Sequence, residues 1–426
     1  MFRLYLQQAL YHLRENPVIT WVSVIGTALA ICMIMVLVIT LQVRMVDCEP
    51  EVNRSRSLYV STMAVRQKGS DTGAYGHMSV QTGQACFKPL AAAEAVTLIS
   101  LPEKVRVSLP AGAKLTADMV QTDDSFWHIF RFRFLSGAAF TKADSDAGLP
   151  RTVISASVAR RLFGTTDAAG QTLQLNHVDY RVTGVVADVS MLASSAYAQV
   201  WVPYNSTDAA GLAWWYDTMG QMKTVILAHS ADDFPAIREE TELLRRKYND
   251  GLGEVEVFYR EQPDGVFANL YRKWDRMPDV KGTVLRYALV IAILLLVPAI
   301  NLSGMTLSRM RKRMSEIGVR KAFGATGSEL VRQVFFENLL LTLLAGLLGL
   351  VMSYAATFLL NGFLFGNSAN AYLSGETALT PGMLLSPWVF VAAFGFCLLM
   401  NLLSAGIPAW RASRMNIVEA IAGTRG

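Results

Sequence analysis

The sequence predicts a polytopic α-helical membrane protein with four transmembrane helices and a large mixed α+β extracytoplasmic domain between the first and second spans. Three observations lead there. Residues 16–43, 287–308, 338–375 and 377–410 contain no Asp, Glu, Lys or Arg, and each run holds the roughly 20 apolar residues that cross a bilayer. The chain is 52% hydrophobic and only 17% charged, with mean hydropathy +0.31, too apolar for an ordinary soluble protein. Residues 44–282, in contrast, carry short strand-like patterns and turn residues, the signature of a folded domain outside the bilayer.

Taken in order, residues 1–17 form a cytoplasmic amphipathic helix: Phe2, Leu6, Ala9, Leu10 and Leu13 share one face, which suits a helix lying flat in the membrane interface. Asn16-Pro17 then reads as an N-cap followed by Pro at the first helical position, and the first span follows at 18–42. Its apolar run is longer than the ~7–15 residues of a signal-peptide core, so the span is expected to stay as an anchor. The extracytoplasmic domain covers 43–282. Strands are expected at Leu58–Val65, Lys104–Leu109, Thr152–Ser155, Thr224–Ala228 and Glu254–Tyr259, a hairpin at Gln171–Gly184 turning near Asn176, and helices at Ser157–Phe163 and Phe234–Tyr248. The order of strand 224–228, helix 234–248 and strand 254–259 resembles a βαβ unit.

The second span is placed at 283–308, a cytoplasmic loop at 309–337, the third span at 338–362, a short external loop at 363–383, the fourth span at 384–407 and a cytoplasmic tail at 408–426. The loop holds Arg309, Arg311, Lys312, Arg313, Arg320, Lys321 and Arg332 against Glu316, Glu329 and Glu337, an excess that the positive-inside rule puts in the cytoplasm. Arg3, Arg14, Arg411, Arg414 and Arg425 point the same way, so both termini are cytoplasmic and the chain is multi-pass. Met310, Met314 and Ile317 line one helical face. Gly324 suits a left-handed C-cap, and Thr326 with Glu329 has capping-box spacing, so the loop reads helix, break, helix. The net charge of +5 is a membrane-surface signal, with no nucleic-acid motif beside it.

Catalytic signatures are missing. No G-x-x-x-x-G-K-[ST] loop exists to cradle a nucleotide, and no H-E-x-x-H or G-x-S-x-G occurs. His12, His77, His128, His177 and His229 are scattered, and no metal site is expected. Ionisable residues are absent from the middle of the spans, which argues against an ion-coupled transporter. Cys32 and Cys397 lie in spans as packing residues. Cys48 and Cys86 both lie in the external region, where an oxidising compartment permits a disulfide; two separate free thiols are the rival reading. Pro298 interrupts the second span and is a candidate hinge, although close helix packing explains it equally well.

The string EIGVRKAFGA, Glu316–Ala325, resembles the cytoplasmic loop motif of FtsX-like and MacB-type permease subunits of ABC transporters, and the match extends upstream through Pro298–Gly304. The external region resembles the MacB-type periplasmic core domain at Phe126–Phe130, Phe132–Gly137, Phe140-Thr141, Val153–Ser155, Ala159–Gly164 and Tyr180–Val186. Pro408–Ile421 is similar to the family's terminal P-A-x-R-A-x-x-x-x-P-x-E-A-L pattern, with Ile417 and Ile421 departing from Pro and Leu. The resemblance implies a two-lobed domain, with an inserted lobe expected at 123–216.

It further implies the membrane subunit of an inner-membrane ABC transporter, without a nucleotide site or cofactor of its own, since ATP and Mg are held by a partner ATPase. Arg313, Glu316, Ile317, Gly318, Arg320, Lys321, Ala322, Phe323 and Gly324 would couple to that ATPase and drive the external domain by mechanotransmission, in export or efflux. Expected partners are the cognate ATPase, a second permease chain as homodimer or heterodimer, membrane lipid, and a periplasmic adaptor with an outer-membrane channel. The alternatives are an FtsX-like signalling scaffold that activates an extracytoplasmic partner and a lipoprotein-extracting permease. An enzyme is not expected.

Overall fold

The computed structural model describes residues 17–294 except 71, 111, 210, 274 and 275, then 296, 327–365, 373, 390, 391, 394, 395, 398 and 399. It divides into two units, one of residues 1–42, 281–364 and 384–426, the other of 43–280 and 365–383. Among the described residues two helical stretches are long and apolar enough to cross a membrane, Thr20–Met45 and Leu339–Leu359. The first lies in helix α1, Pro17–Met45. Residues 280–294 are also helical, as are the described residues between 390 and 399.

In the second unit the chain first forms β1 (Ser57–Val60), β2 (Met63–Gln67), β3 (Gly73–Met78), helix α2 (Val80–Cys86) and β4 (Ala95–Ser100). Strands β5 (Glu103–Ser108) and β6 (Lys114–Thr122) open a second sheet, continued by helix α3 (Ser125–Ile129), β7 (Phe134–Gly137), helix α4 (Lys142–Asp146), β8 (Arg151–Ser155), helix α5 (Ala156–Phe163), β9 (Thr172–Leu175), β10 (Val178–Val186) and β11 (Val200–Pro203). The chain then returns through β12 (Met219–Gly220), β13 (Met222–Leu227), helix α6 (Phe234–Gly251), β14 (Val255–Phe258) and helix α7 (Val266–Tyr271). One seven-stranded sheet has the order β1-β13-β3-β2-β14, with β12 on β3 and β4 on β13. The other runs β7-β10-β8-β11-β6-β5-β9, and β9 also pairs with β10, which closes a ring.

The second sheet begins at Glu103 and so takes in two strands ahead of the lobe expected at 123–216. The expected strand Leu58–Val65 is broken at Ser61-Thr62, whose amides turn away from the ladder to the Gln262 side-chain oxygen, at 2.8 and 3.4 Å. The βαβ reading is overturned. β3 and β2 lie between β13 and β14, and three antiparallel pairings in succession make the two outer strands run oppositely. Other local readings agree. The β9–β10 hairpin turns at Asn176 (φ 46°) and His177 (φ 74°), the left-handed pair of a type I′ turn. Helix α5 starts under a Ser155 cap on the Val158 amide and stops at Gly164, φ 73°, the left-handed position where glycine carries no Cβ penalty.

Among the described residues of this unit, three apolar cores stand out. One lies under the first sheet, with Leu58, Met63, Phe87, Leu98, Ile226 and Val257 fully buried. The second fills the ring of the other sheet around Val107, Ile154, Leu173 and Val200. The third draws on both, with Tyr59, Ile99 and Val225 from one sheet meeting Val120, Val153 and Trp201 of the other. Around Trp127 gather Phe126, Phe132, Phe134, Phe140 and Trp201, with ring centroids 5.0–6.1 Å away, offset and edge contacts that aromatic rings prefer. The motif at 126–140 is therefore packing between sheets rather than chemistry.

In the first unit, α1 packs Val24 and Ala28 against Leu341, Ala345, Leu348 and Met352 of helix α8, Gly327–Leu359. At Gly349 an added Cβ would stand 2.8 Å from the Ala28 carbonyl oxygen and 3.0 Å from Ile31 Cβ. Small residues allow this close approach, the usual means of joining helices in a bilayer.

Candidate functional site

Where α1 gives way to the sheets, Arg54 and Glu51 form an ion pair with both side chains 3% exposed. A buried charge is tolerated only when paired and fully hydrogen-bonded, and this pair meets that condition. Arg54 Nε donates to Glu51 Oε2 at 2.5 Å. Its Nη1 donates to the carbonyls of Val43 (3.1 Å), in the last turn of α1, and Val46 (3.0 Å), just past its end, where helix carbonyls lack intrahelical partners. Its Nη2 donates to the Leu192 carbonyl at 2.6 Å. Glu51 Oε1 accepts from the amides of Ser195 (2.7 Å) and Ala196 (3.0 Å). Burial pulls the guanidinium pKa down, but Glu51, together with Cys48 and Tyr59, outweighs it and the net shift is upward. One ion pair thus clamps the end of α1 to the loop between β10 and β11, in the second sheet.

The connection that leads on to residue 280 is held in a similar way. Tyr59 of β1 and Asp264 exchange backbone hydrogen bonds at 2.8 Å each, and Asp264 forms an ion pair with Arg272, side chains 6% and 3% exposed. Gln262 binds the backbone of Ser61 and Thr62, while Ser61 Oγ donates to Asn269 Oδ1 of α7 at 2.6 Å. The first connection is thus tied to the second sheet's loop through Arg54, and the later one to β1 of the first sheet through Asp264, the partner of Arg272.

Two of the scattered histidines meet at one carboxylate: Glu94 lies 3.2 Å from His128 Nε2 and 3.7 Å from His229 Nδ1, and also pairs with Arg56. The Arg56 hydrogen bond leads the groups that hold Glu94 below the usual carboxylate range. No cluster suited to a metal ion occurs among the described residues. Cys48 and Cys86 are both free, so the disulfide considered from the sequence is not formed. Cys86 is fully buried in the first core, beside Tyr259, whereas Cys48 lies just past the end of α1, its backbone amide donating to the Glu51 carbonyl at 3.2 Å.

The coupling residues Arg313, Glu316, Ile317, Gly318, Arg320, Lys321, Ala322, Phe323 and Gly324, the hinge candidate Pro298 and the helix expected at 1–17, save Pro17, lie outside the described residues. Arg54, Glu51, Asp264 and Arg272 were not singled out by sequence. Arg54 and Glu51 are three apart like many solvated pairs, and their partners in the loop between β10 and β11 are more than 130 residues away. Closeness to a span end was the one available signal.

Residues 20–244 match the family described as MacB-like periplasmic core domain, and residues 288–417 match FtsX-like permease C-terminal. The ABC transporter permease YknZ of Bacillus subtilis is 24% identical over 299 residues, 70% of this chain and 68% of that protein. The macrolide export ATP-binding/permease protein MacB of Escherichia coli K12 is 25% identical over 300 residues, 70% of this chain but only 42% of MacB. Among solved structures, the extracellular domain of a YknZ transporter from Gram-positive bacteria matches at 17% identity, covering 46% of this chain and 99% of that one with TM-score 0.32. The periplasmic region of MacB from Actinobacillus actinomycetemcomitans matches at 17% identity, 46% and 88% coverage, and TM-score 0.33. With one match over the core domain and another over the membrane half, the chain belongs to the MacB/FtsX-like family of ABC transporter permeases.

Proposed function

We propose that this chain is the permease subunit that converts ATP hydrolysis in a separate ATPase into movement of its α+β domain, as mechanotransmission for export across the inner membrane. The proposed topology has four spans, both termini in the cytoplasm and the domain on the opposite face. Two permease chains work as a dimer with the motor, which binds ATP and Mg. The loop 309–337 grips the motor through Arg313–Gly324, and Pro298 bends the second span toward that loop.

The observation that carries this reading is the buried clamp. Arg54 with Glu51 bonds the carbonyls of Val43 and Val46, where the chain enters the α+β unit, to the loop between β10 and β11, which ties that entry to the second sheet, as a domain driven from its first connection requires. Export is proposed by analogy with the macrolide export protein MacB.

The test is the ATPase rate of the motor encoded beside this chain, reconstituted with it in lipid. The wild type is expected to bind and regulate the motor, and a Glu316→Lys, Gly318→Trp double variant to do neither. A motor that ignores the wild-type chain refutes the reading.

A further inference from the structure

Between the two sheets, at the level where both connections enter, lies a cavity of about 500 Å³, within the range of small-molecule sites. Its wall carries five cationic side chains, Arg44, Arg54, Lys223, Arg272 and Lys273, against one carboxylate, Glu51. That carboxylate is consumed by Arg54, and Arg272 is paired with Asp264. The rest of the wall is largely hydroxyl and apolar, with Ile99, Val120, Val225 and Val266 from four separate elements.

Lys223 is the decisive group. It sits on β13 opposite Ile99, on the face of the sheet that meets the other lobe. Protein encloses it, and burial lowers its pKa, yet part of the side chain stays accessible, as expected for a residue on a cavity wall. No hydrogen-bond or ion-pair partner for its ammonium exists among the described residues. An ammonium so enclosed and unpaired destabilises the fold, and such costs concentrate at binding sites. Two neighbours on the wall carry buried polar atoms without a hydrogen bond among the described residues, Arg272 Nη1 and Thr62 Oγ1. His77, beside Lys223, is held neutral by burial first and by the lysine charge second.

We propose that this cavity binds an organic anion, a carboxylate or phosphate group on a compact apolar body, with the anionic oxygens on Lys223 and the apolar body against Ile99, Val120 and Val225. An occupant would touch both connections that lead to the helices, Arg54 on one side and Arg272 on the other. The inference does not rest on the permease reading, because binding is measured without a motor.

The test uses the full chain in nanodiscs of phosphatidylcholine, titrated calorimetrically with 2-naphthoate and, separately, with 2-naphthylmethylammonium. The expected result is one naphthoate per chain, at least tenfold weaker binding to Lys223→Met, retained binding to Lys223→Arg, and no uptake of the cation. An unfolding midpoint for Lys223→Met at or above the wild type's shows that the variant is folded; if Met is not accommodated, Lys223→Gln replaces it. Repeating the titration in discs containing phosphatidylglycerol separates the sources: lost naphthoate binding assigns the anion to a lipid headgroup, and retained binding to a free acid. The proposal is overturned if naphthoate does not bind the wild type, if it binds Lys223→Met equally well, or if the cation binds as tightly.

Discussion

Arg54 is the residue whose loss should be felt most. Removing one partner of a buried, hydrogen-bonded ion pair strands the other, which costs about 3–5 kcal/mol. We expect Arg54→Ala to lower the stability of the purified chain by that amount, read from denaturant unfolding. The Glu51→Ala, Arg54→Ala double variant should lose less than the two single losses combined, because neither charge is then stranded. His77 makes a pH prediction. Its imidazole is pushed down from 6.5 to about 4 by burial and then by Lys223 of β13, while Nδ1 donates to the Ser61 carbonyl at 2.5 Å. A folded pKa below the unfolded one means that the unfolded chain takes up the proton first as pH falls. Stability from neutral His77 is therefore complete above pH 6.5 and lost as pH approaches 4, on the order of 3 kcal/mol across the window. Thermal unfolding at pH 7.5 and 5 should differ less in His77→Gln than in the wild type, and an unchanged difference would refute the assignment.

Helix packing in the membrane unit turns on Gly349, where any side chain meets the Ala28 carbonyl and Ile31. Gly349→Leu should force α1 and α8 apart, so that cysteines introduced at Val24 and Leu341, both at that contact, crosslink in the parent but far less in the variant. In the β-domain, the left-handed His177 is an unfavourable site for a residue with a Cβ. His177→Gly should raise stability by up to about 1 kcal/mol. Elements with local causes could be read from the chain: α5 has its Ser155 cap and Gly164 stop, and the β9–β10 hairpin its Asn176 turn. The strand Leu58–Val65 could not be read correctly, because Gln262 breaks it from 200 residues away. The βαβ reading failed for a similar reason, since β2 and β3 occupy the space between β13 and β14.

Across the protein, the clamp and the coupling loop should fail differently. If motion passes from motor to helix to domain, Arg54→Ala should leave the ATPase bound and active while abolishing any change of the α+β domain with nucleotide, monitored by a fluorophore pair on the two sheets. The Glu316→Lys, Gly318→Trp variant should lose the motor altogether. A domain response that survives Arg54→Ala would mean that motion takes another route, such as the Asp264–Arg272 connection.

The long apolar helix near the start, the mixed domain and the membrane permease family were all legible in the chain, because hydropathy and short contiguous motifs are local properties. The clamp, the free state of Cys48 and Cys86, and the basic cavity were not. Each depends on which distant residues the two sheets bring together. Glu51 gains its meaning from Ser195, Arg54 from Leu192, and Lys223 from a space whose walls come from β4, β6, β13 and α7. A buried charge and a solvated one are written with the same letter, and burial is a property of the folded chain.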